Sequence, residues 1–213
     1  MASHISITLV AIPIAAYLLG SIPFGLLLTR LLGHGDVRRV GSGNIGATNV
    51  ARAAGLLAGV FTLVLDTAKG AGAVFLAEKL SNDRATWMMI AAIAALLGHC
   101  FPVWLKFKGG KGVATAAGLF LVLSPLACSA AVLLFLLVVI LWKYISLGSV
   151  SAAAAMPLLI YFLWAPRHAP PLAVSIGAVA AALLIIYKHR GNLQRLLEGT
   201  EPKFSLSKNK GDE

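Results

Sequence analysis

Charged residues are scarce in this chain. Only 12% of its 213 residues are Asp, Glu, Lys or Arg, and just eight are acidic, where a soluble domain carries about 25% charged residues. With 59% hydrophobic residues and a mean hydropathy of +0.86, a soluble fold has nowhere to hide the apolar surface, so the chain reads as an integral membrane protein. Cysteine is rare too: Cys100 and Cys128 sit within or beside apolar stretches at no metal-binding spacing and read as small buried hydrophobes. No basic region precedes the first apolar stretch, no clear cleavage site follows it, and no lipidation motif is present. The expectation is a retained span rather than a signal peptide. The net charge of +10 belongs to no soluble basic domain; it is spread over short loops, as orientation signals are, so a nucleic-acid partner is not expected. No repeat with a period of 20–50 residues stands out.

What is present is a series of apolar runs, at roughly 5–32, 53–77, 85–105, 113–141, 149–165 and 172–187. A span needs about 20 residues. The 113–141 run, at 29 residues, is too long for one straight helix and short for two, and Ser124-Pro125 interrupts it. Charge parity favours two short helices. With seven spans, four basic stretches share one side: Arg30 to Arg52, Lys106 to Lys111, Lys143, and the tail from Lys188-His189-Arg190. The balanced Glu78-Lys79/Asp83-Arg84 loop and the Arg167-His168 loop fall on the other side. With six spans, Lys143 and the tail would lie outside. The expected fold is therefore all-α and polytopic, with seven transmembrane helices, the amino terminus outside and the carboxyl terminus cytoplasmic. Residues 1–203 form one transmembrane domain, and 204–213 a polar cytoplasmic tail.

This topology places four polar stretches on the cytoplasmic side. The first is Gly41-Ser42-Gly43-Asn44-Ile45-Gly46-Ala47-Thr48-Asn49, with Arg52 close behind. Glycines let successive N–H groups converge on an anion, hydroxyl and amide side chains add donors, and a guanidinium suits phosphate. A phosphate cradle at a membrane surface and a polar connecting loop with helix caps both fit this stretch. It also satisfies Gly-x-Gly-x-x-Gly, but a span precedes it where a dinucleotide fold needs a strand. The second stretch, Gly98-His99-Cys100-Phe101-Pro102 and then Phe107-Lys108-Gly109-Gly110-Lys111-Gly112-Val113-Ala114-Thr115, puts an ammonium among glycines before a helix start. It lacks P-loop spacing. In the third, Ser146-Leu147-Gly148-Ser149, the hydroxyls alone suggest helix caps. In the fourth, His189, Asn192 and Arg195 fall at i, i+3 and i+6 and share one face just past the last span. Inside a span, Asp66 and Lys69 are three apart and read as a structural brace. His4, His34 and His168 receive no role. Trp87, Trp104, Trp142 and Trp164 fall near span ends, as an aromatic belt would.

Taken together, Gly-Ser-Gly-Asn-x-Gly-Ala-Thr-Asn, Gly-His-x-Phe-Pro with Phe-Lys-Gly-Gly-Lys-Gly-Val-Ala-Thr, and His-Arg-x-Asn with a following Gly-Thr-Glu resemble the bacterial PlsY family. These are acyl-phosphate:glycerol-3-phosphate acyltransferases. The resemblance covers nearly the whole chain and implies a multi-pass enzyme of the bacterial inner membrane with a cytoplasmic active site. Its implied partners are glycerol 3-phosphate, a long-chain acyl phosphate and the lipid bilayer; its implied product is lysophosphatidate, in the first acylation of phospholipid synthesis. Carried over by position, Ser42, Gly43, Asn44, Gly46, Thr48 and Asn49 would hold a phosphate with Arg52 assisting, and Lys111 would bind phosphate as well. Ser149, His189 and Asn192 would orient glycerol 3-phosphate. One departure is Gly191, where an acidic residue is common in the family.

No cofactor and no metal are expected, because gathering two phosphates needs positioning and charge. None of the five histidines has Asp five positions on, so the His-x-x-x-x-Asp pair of soluble-domain glycerolipid acyltransferases is missing. The base is then either His189 or a phosphate oxygen of the donor. The rival reading is a membrane transporter of an organic phosphate, which would need a site near the midplane open to both sides.

Overall fold

In the computed structural model, residues 2–81, 84–164 and 169–204 are described. Arg167, His168 and the tail from 205 onward lie outside them. Every regular element among these residues is helical: α1 (Ala2–Gly20), α2 (Phe24–Leu31), α3 (Ala47–Ala54), α4 (Leu56–Leu80), α5 (Arg84–Cys100), α6 (Val113–Leu123), α7 (Pro125–Trp142), α8 (Ile145–Leu163), α9 (Leu172–Lys188) and α10 (Arg190–Leu197).

Five segments among the described residues are long and apolar enough to cross a bilayer: Val10–Leu31, Leu56–Leu80, Ala85–Leu105, Pro125–Trp142 and Ile145–Leu163. A sixth is α9 taken with α10, which bends from it by 57°. The helix break expected at Ser124-Pro125 is there, α6 ending at Leu123 and α7 starting at Pro125, because proline has no N–H to extend the ladder. The two halves are unequal. At 11 residues and about 1.5 Å per residue, α6 is about 16 Å long, half of a hydrocarbon core of about 30 Å.

Two further breaks interrupt runs that looked continuous. Pro23 ends the first helix, and α2 resumes at Phe24. Gly55, at φ +91°, separates α3 from α4, so Arg52 belongs to a short helix beside the 25-residue span. Neither hydroxyl of the third polar stretch caps a helix. Tyr144 occupies the N-cap of α8, Ser149 Oγ donates to the Ile145 carbonyl one turn back at 2.8 Å, and Ser146 Oγ reaches away to Glu201.

Helices cross closely where side chains are small. On α4 and α6, Gly70 faces the Thr115 carbonyl and Gly118 faces the Thr67 carbonyl; a Cβ on either glycine would run into the partner's backbone. Two threonine–glycine pairs, three residues apart on each helix, thus mate reciprocally, the close approach that small residues permit inside a membrane. Around this contact Leu96, Leu119, Phe120, Val174 and Ala178 form the main buried core, while Leu133, Ile140, Leu158, Phe162 and Leu183 stand exposed on the outside. A surface that apolar suits lipid.

Candidate functional site

The four polar stretches meet at one end of the bundle. Lys111, just ahead of α6, donates from Nζ to Asn192 Oδ1 on α10 at 2.5 Å. Asn192 Nδ2 donates to Glu201 Oε1 at 2.6 Å, and Ser146 Oγ on α8 donates to the same oxygen at 2.6 Å. Arg195 Nε holds the other oxygen, Oε2, at 2.8 Å. Glu201 reaches this position because Gly199, at φ +69°, turns the chain back after α10, and the Phe204 N–H pins the returning segment to the Lys143 carbonyl at 2.6 Å. Ser42 joins Lys111, Asn192, Lys188, Arg190, Gly191, Gln194 and Arg195 around an open cleft of about 460 Å³.

The Gly41–Asn49 loop is organised by Asn49, which is 2% exposed. Its Nδ2 shares its two hydrogens among the carbonyls of Val37 at 3.1 Å, Val40 at 3.0 Å and Asn44 at 2.9 Å, and its Oδ1 accepts from the Ser42 N–H at 3.0 Å. Asn44 Oδ1 accepts from the Gly46 N–H at 2.8 Å, and the Gly43 N–H donates to the Val40 carbonyl at 3.0 Å. The backbone donors of Ser42, Gly43 and Gly46 are thus spent within the loop. What faces outward is the half-exposed start of α3 at Ala47 and Thr48 and the exposed Ser42, a smaller anion-binding surface than the glycines alone suggest.

The second stretch is pinned at the end of α5, where orphan carbonyls need partners. The His99 carbonyl accepts from the Gly110 N–H at 3.0 Å, and the Cys100 carbonyl from the Gly109 N–H at 3.2 Å and from Lys188 Nζ at 3.0 Å. The Phe101 carbonyl accepts from the Tyr17 hydroxyl at 2.7 Å. Three successive carbonyls thereby tie the lysine loop, α9 and α1 to one turn. Beside the first cleft lies a second, of about 590 Å³, that shares Lys188 and Arg190 with it. Its basic walls include Arg38, Arg39 and Lys108, and its aromatic lining is Phe101, Phe107 and Tyr187.

His189 sits at the corner between α9 and α10 and is 3% exposed. Its Nδ1 lies 2.8 Å from the Ile185 carbonyl; a carbonyl only accepts, so Nδ1 carries the hydrogen and Nε2 is the bare acceptor. Burial pushes the imidazole down to about 4; the Ile185 bond opposes the shift and Lys111 adds to it. His189, Ser149, Arg52, Asn44, Gly46 and Thr48 line neither cleft, and Gly43 lines the second. The Lys111 ammonium is pushed down to about 8, mostly by burial, with Glu201 opposing and the positive charges of Arg195, Arg52 and Lys188 adding. Burial would raise the Glu201 carboxyl, but hydrogen bonds from Ser146, Asn192 and Arg195 outweigh it and hold the group below its usual value. No role for Glu201 followed from the sequence; its only mark there is its place after Gly199-Thr200.

Comparison with known proteins gives the family. The sequence model of a family described as Glycerol-3-phosphate acyltransferase matches residues 10–199. A glycerol-3-phosphate acyltransferase of Syntrophotalea carbinolica is 52% identical over 191 residues, covering 90% of this chain and 95% of that protein. One from Trichlorobacter lovleyi is 52% identical over 189 residues, covering 89% and 94%. The crystal structure of PlsY, an integral membrane glycerol 3-phosphate acyltransferase, in its glycerol 3-phosphate form superposes with a TM-score of 0.84 at 41% identity, over 91% of this chain and 94% of that one. The lysophosphatidic acid form of PlsY gives a TM-score of 0.82 at 39% identity over the same shares. With the fold matched and the coverage near-complete, the chain belongs to the glycerol-3-phosphate acyltransferase family, the PlsY type.

Proposed function

We propose that this membrane glycerol-3-phosphate acyltransferase, which makes lysophosphatidate for phospholipid synthesis, takes its acyl group from an acyl phosphate at the bundle end where Lys111, Asn192 and Glu201 meet. The observation that carries the reading is the chain of contacts Lys111–Asn192–Glu201–Ser146 beside Ser42. It draws four separate polar stretches into one basic site at one end of the bundle.

The two adjoining clefts suit two phosphates. Ser42, Lys111, Asn192 and Arg195 would receive glycerol 3-phosphate in the first, with Arg52 adding positive charge. The second cleft, basic and aromatic, would receive the phosphate of the donor while its acyl chain stays in lipid. The glycerol hydroxyl oxygen attacks the acyl carbonyl carbon, the bond from that carbon to the phosphate oxygen breaks, and inorganic phosphate leaves. The hydroxyl proton goes to a phosphate oxygen of the donor. A buried His189 held near 4, outside the cleft lining, is a weak base at neutral pH and serves better to fix the α9–α10 corner. Asn49 shapes the first loop, and Ser149 donates to the Ile145 carbonyl within α8.

The seven-span topology remains the best account of the charge. In it α6, about half the hydrocarbon thickness by itself, and α7 count as separate passes, the amino terminus is outside, and the site end faces the cytoplasm of a bacterial inner membrane, together with Arg38, Arg39, Lys108, Lys143 and Arg190. The test of the function is an assay of the purified protein with glycerol 3-phosphate and either acyl phosphate or acyl-CoA. Lysophosphatidate from acyl phosphate alone is expected. Product from acyl-CoA alone would remove the donor assignment, and His189→Gln with most of its turnover lost would restore His189 as the base.

A further inference from the structure

Asp66, Lys69 and His99 form a buried ionic group that no step above uses. They are 2%, 4% and 4% exposed. Asp66 Oδ1 lies 2.7 Å from Lys69 Nζ and 3.7 Å from His99 Nδ1. The Lys69 contact is an ion pair rather than an aligned hydrogen bond, so Asp66 Oδ1 and His99 Nδ1 both count as lacking a hydrogen-bond partner among the described residues. Charges cost a great deal inside a membrane, and a brace along α4 would need only the first two members.

The third member points to the reason. The His99 ring lies directly against Gly110, where a Cβ would collide with Nε2, Cε1 and Cδ2. The His99 carbonyl holds the Gly110 N–H and the Cys100 carbonyl the Gly109 N–H, so the two glycines lie flat on this turn and Lys111 follows immediately. At the other end of the group, Lys69 Nζ donates to the Ile22 carbonyl at 2.8 Å, at the break between α1 and α2. The carboxylate thus stands between a cation anchored to one broken helix and an imidazole that carries the lysine loop.

We propose that Asp66, Lys69 and His99 are positioning residues for Lys111. The buried carboxylate fixes the His99 ring, and the ring sets the course of Gly109–Lys111 and with it the place where the ammonium meets the substrate phosphate. This rests on the reading of Lys111 as a phosphate ligand.

The test is a double-mutant cycle on the full-length purified protein, reading turnover and, from thermal shift, the apparent Kd for glycerol 3-phosphate. Asp66→Asn and His99→Leu are each expected to weaken glycerol 3-phosphate by about tenfold, with kcat changed much less than KM. In a Lys111→Ala background the same changes are expected to add less than about twofold, because their route to the substrate is gone. Full multiplication of the effects in that background would overturn the proposal, as would a lower melting temperature with an unchanged Kd. Should Asp66→Asn fail to fold or Lys111→Ala bind too weakly to measure, Asp66→Asn/Lys69→Met removes both charges together. A persistent Kd increase supports the proposal and a parental Kd sinks it. An unchanged Kd in Lys111→Ala alone would instead remove the phosphate reading of Lys111, and this inference with it.

Discussion

Lys111 Nζ meets Asn192 Oδ1 at 2.5 Å across 81 residues of sequence, joining the loop ahead of α6 to the helix after α9. The asparagine cannot serve both neighbours the same way round: its carbonyl oxygen faces the ammonium and its amide faces Glu201. This polarity is set by charge, because an ammonium only donates and a carboxylate only accepts. Asn192→Asp would put two carboxylates side by side. It is expected to lose most activity even though the side chain keeps its size, with a lower melting temperature as the control reading.

Lys111 should set the alkaline limb of the pH profile. With its ammonium held near 8 in the free enzyme, the charge that attracts phosphate is present below that pH and lost above it. The kcat/KM for glycerol 3-phosphate is expected to fall as pH rises through about 8, since that ratio reports free-enzyme groups. Lys111→Arg is expected to move the fall to higher pH. A limb that stays put in Lys111→Arg would assign it to another group.

Glu201 ties Ser146, Asn192 and Arg195 together from a side chain only 7% exposed. Glu201→Ala leaves those donors without an acceptor, at roughly 1–3 kcal/mol for each group that stays buried and unpaired. The expected result is a lower melting temperature together with loss of activity. Glu201→Gln should recover part of the stability and less of the activity. Equal stability in Glu201→Ala and the parent would contradict the network.

Asn49→Ala is expected to cost more than Ser42→Ala in stability, and Ser42→Ala more in the KM for glycerol 3-phosphate. Asn49 supplies four hydrogen bonds to the loop, whereas Ser42 is exposed at the cleft. Thermal unfolding and steady-state kinetics of the two variants separate scaffold from ligand.

Gly118→Ala tests the crossing of α4 and α6. The added methyl would run into the Thr67 carbonyl, and overpacking of this kind costs about 1–3 kcal/mol. A fall in melting temperature is expected, larger than any change in KM, since neither Gly118 nor Thr67 lines a cleft.

Much of the fold was legible in the residues. Apolar runs of span length indicate where helices lie, and Pro125, which brings no N–H to the ladder, marks the break in the 113–141 run, whereas Pro13 and Pro157 sit inside helices. The break at Pro23 was open to the same reasoning, but the apolar side chains on both sides concealed it. Asn49 was less legible: an asparagine in a glycine-rich loop can hold a ligand or hold the loop, and composition does not distinguish the two. Gly55 likewise hid the short helix that carries Arg52.

By itself the sequence determined that the chain is a helical membrane protein, where its polar stretches lie along the chain, and which family its motifs resemble. These follow from hydropathy and residue spacing, both of which are local or additive along the chain. Only the tertiary structure decided which polar atoms are free. A hydrogen already donated within the fold is not offered to a ligand, so what Asn49, Gly43 or Ser149 can present to a substrate depends on partners that folding brings to them. Contacts such as Lys111–Asn192, Ser146–Glu201 and Asp66–His99 join segments whose separation in sequence carries no trace of their meeting.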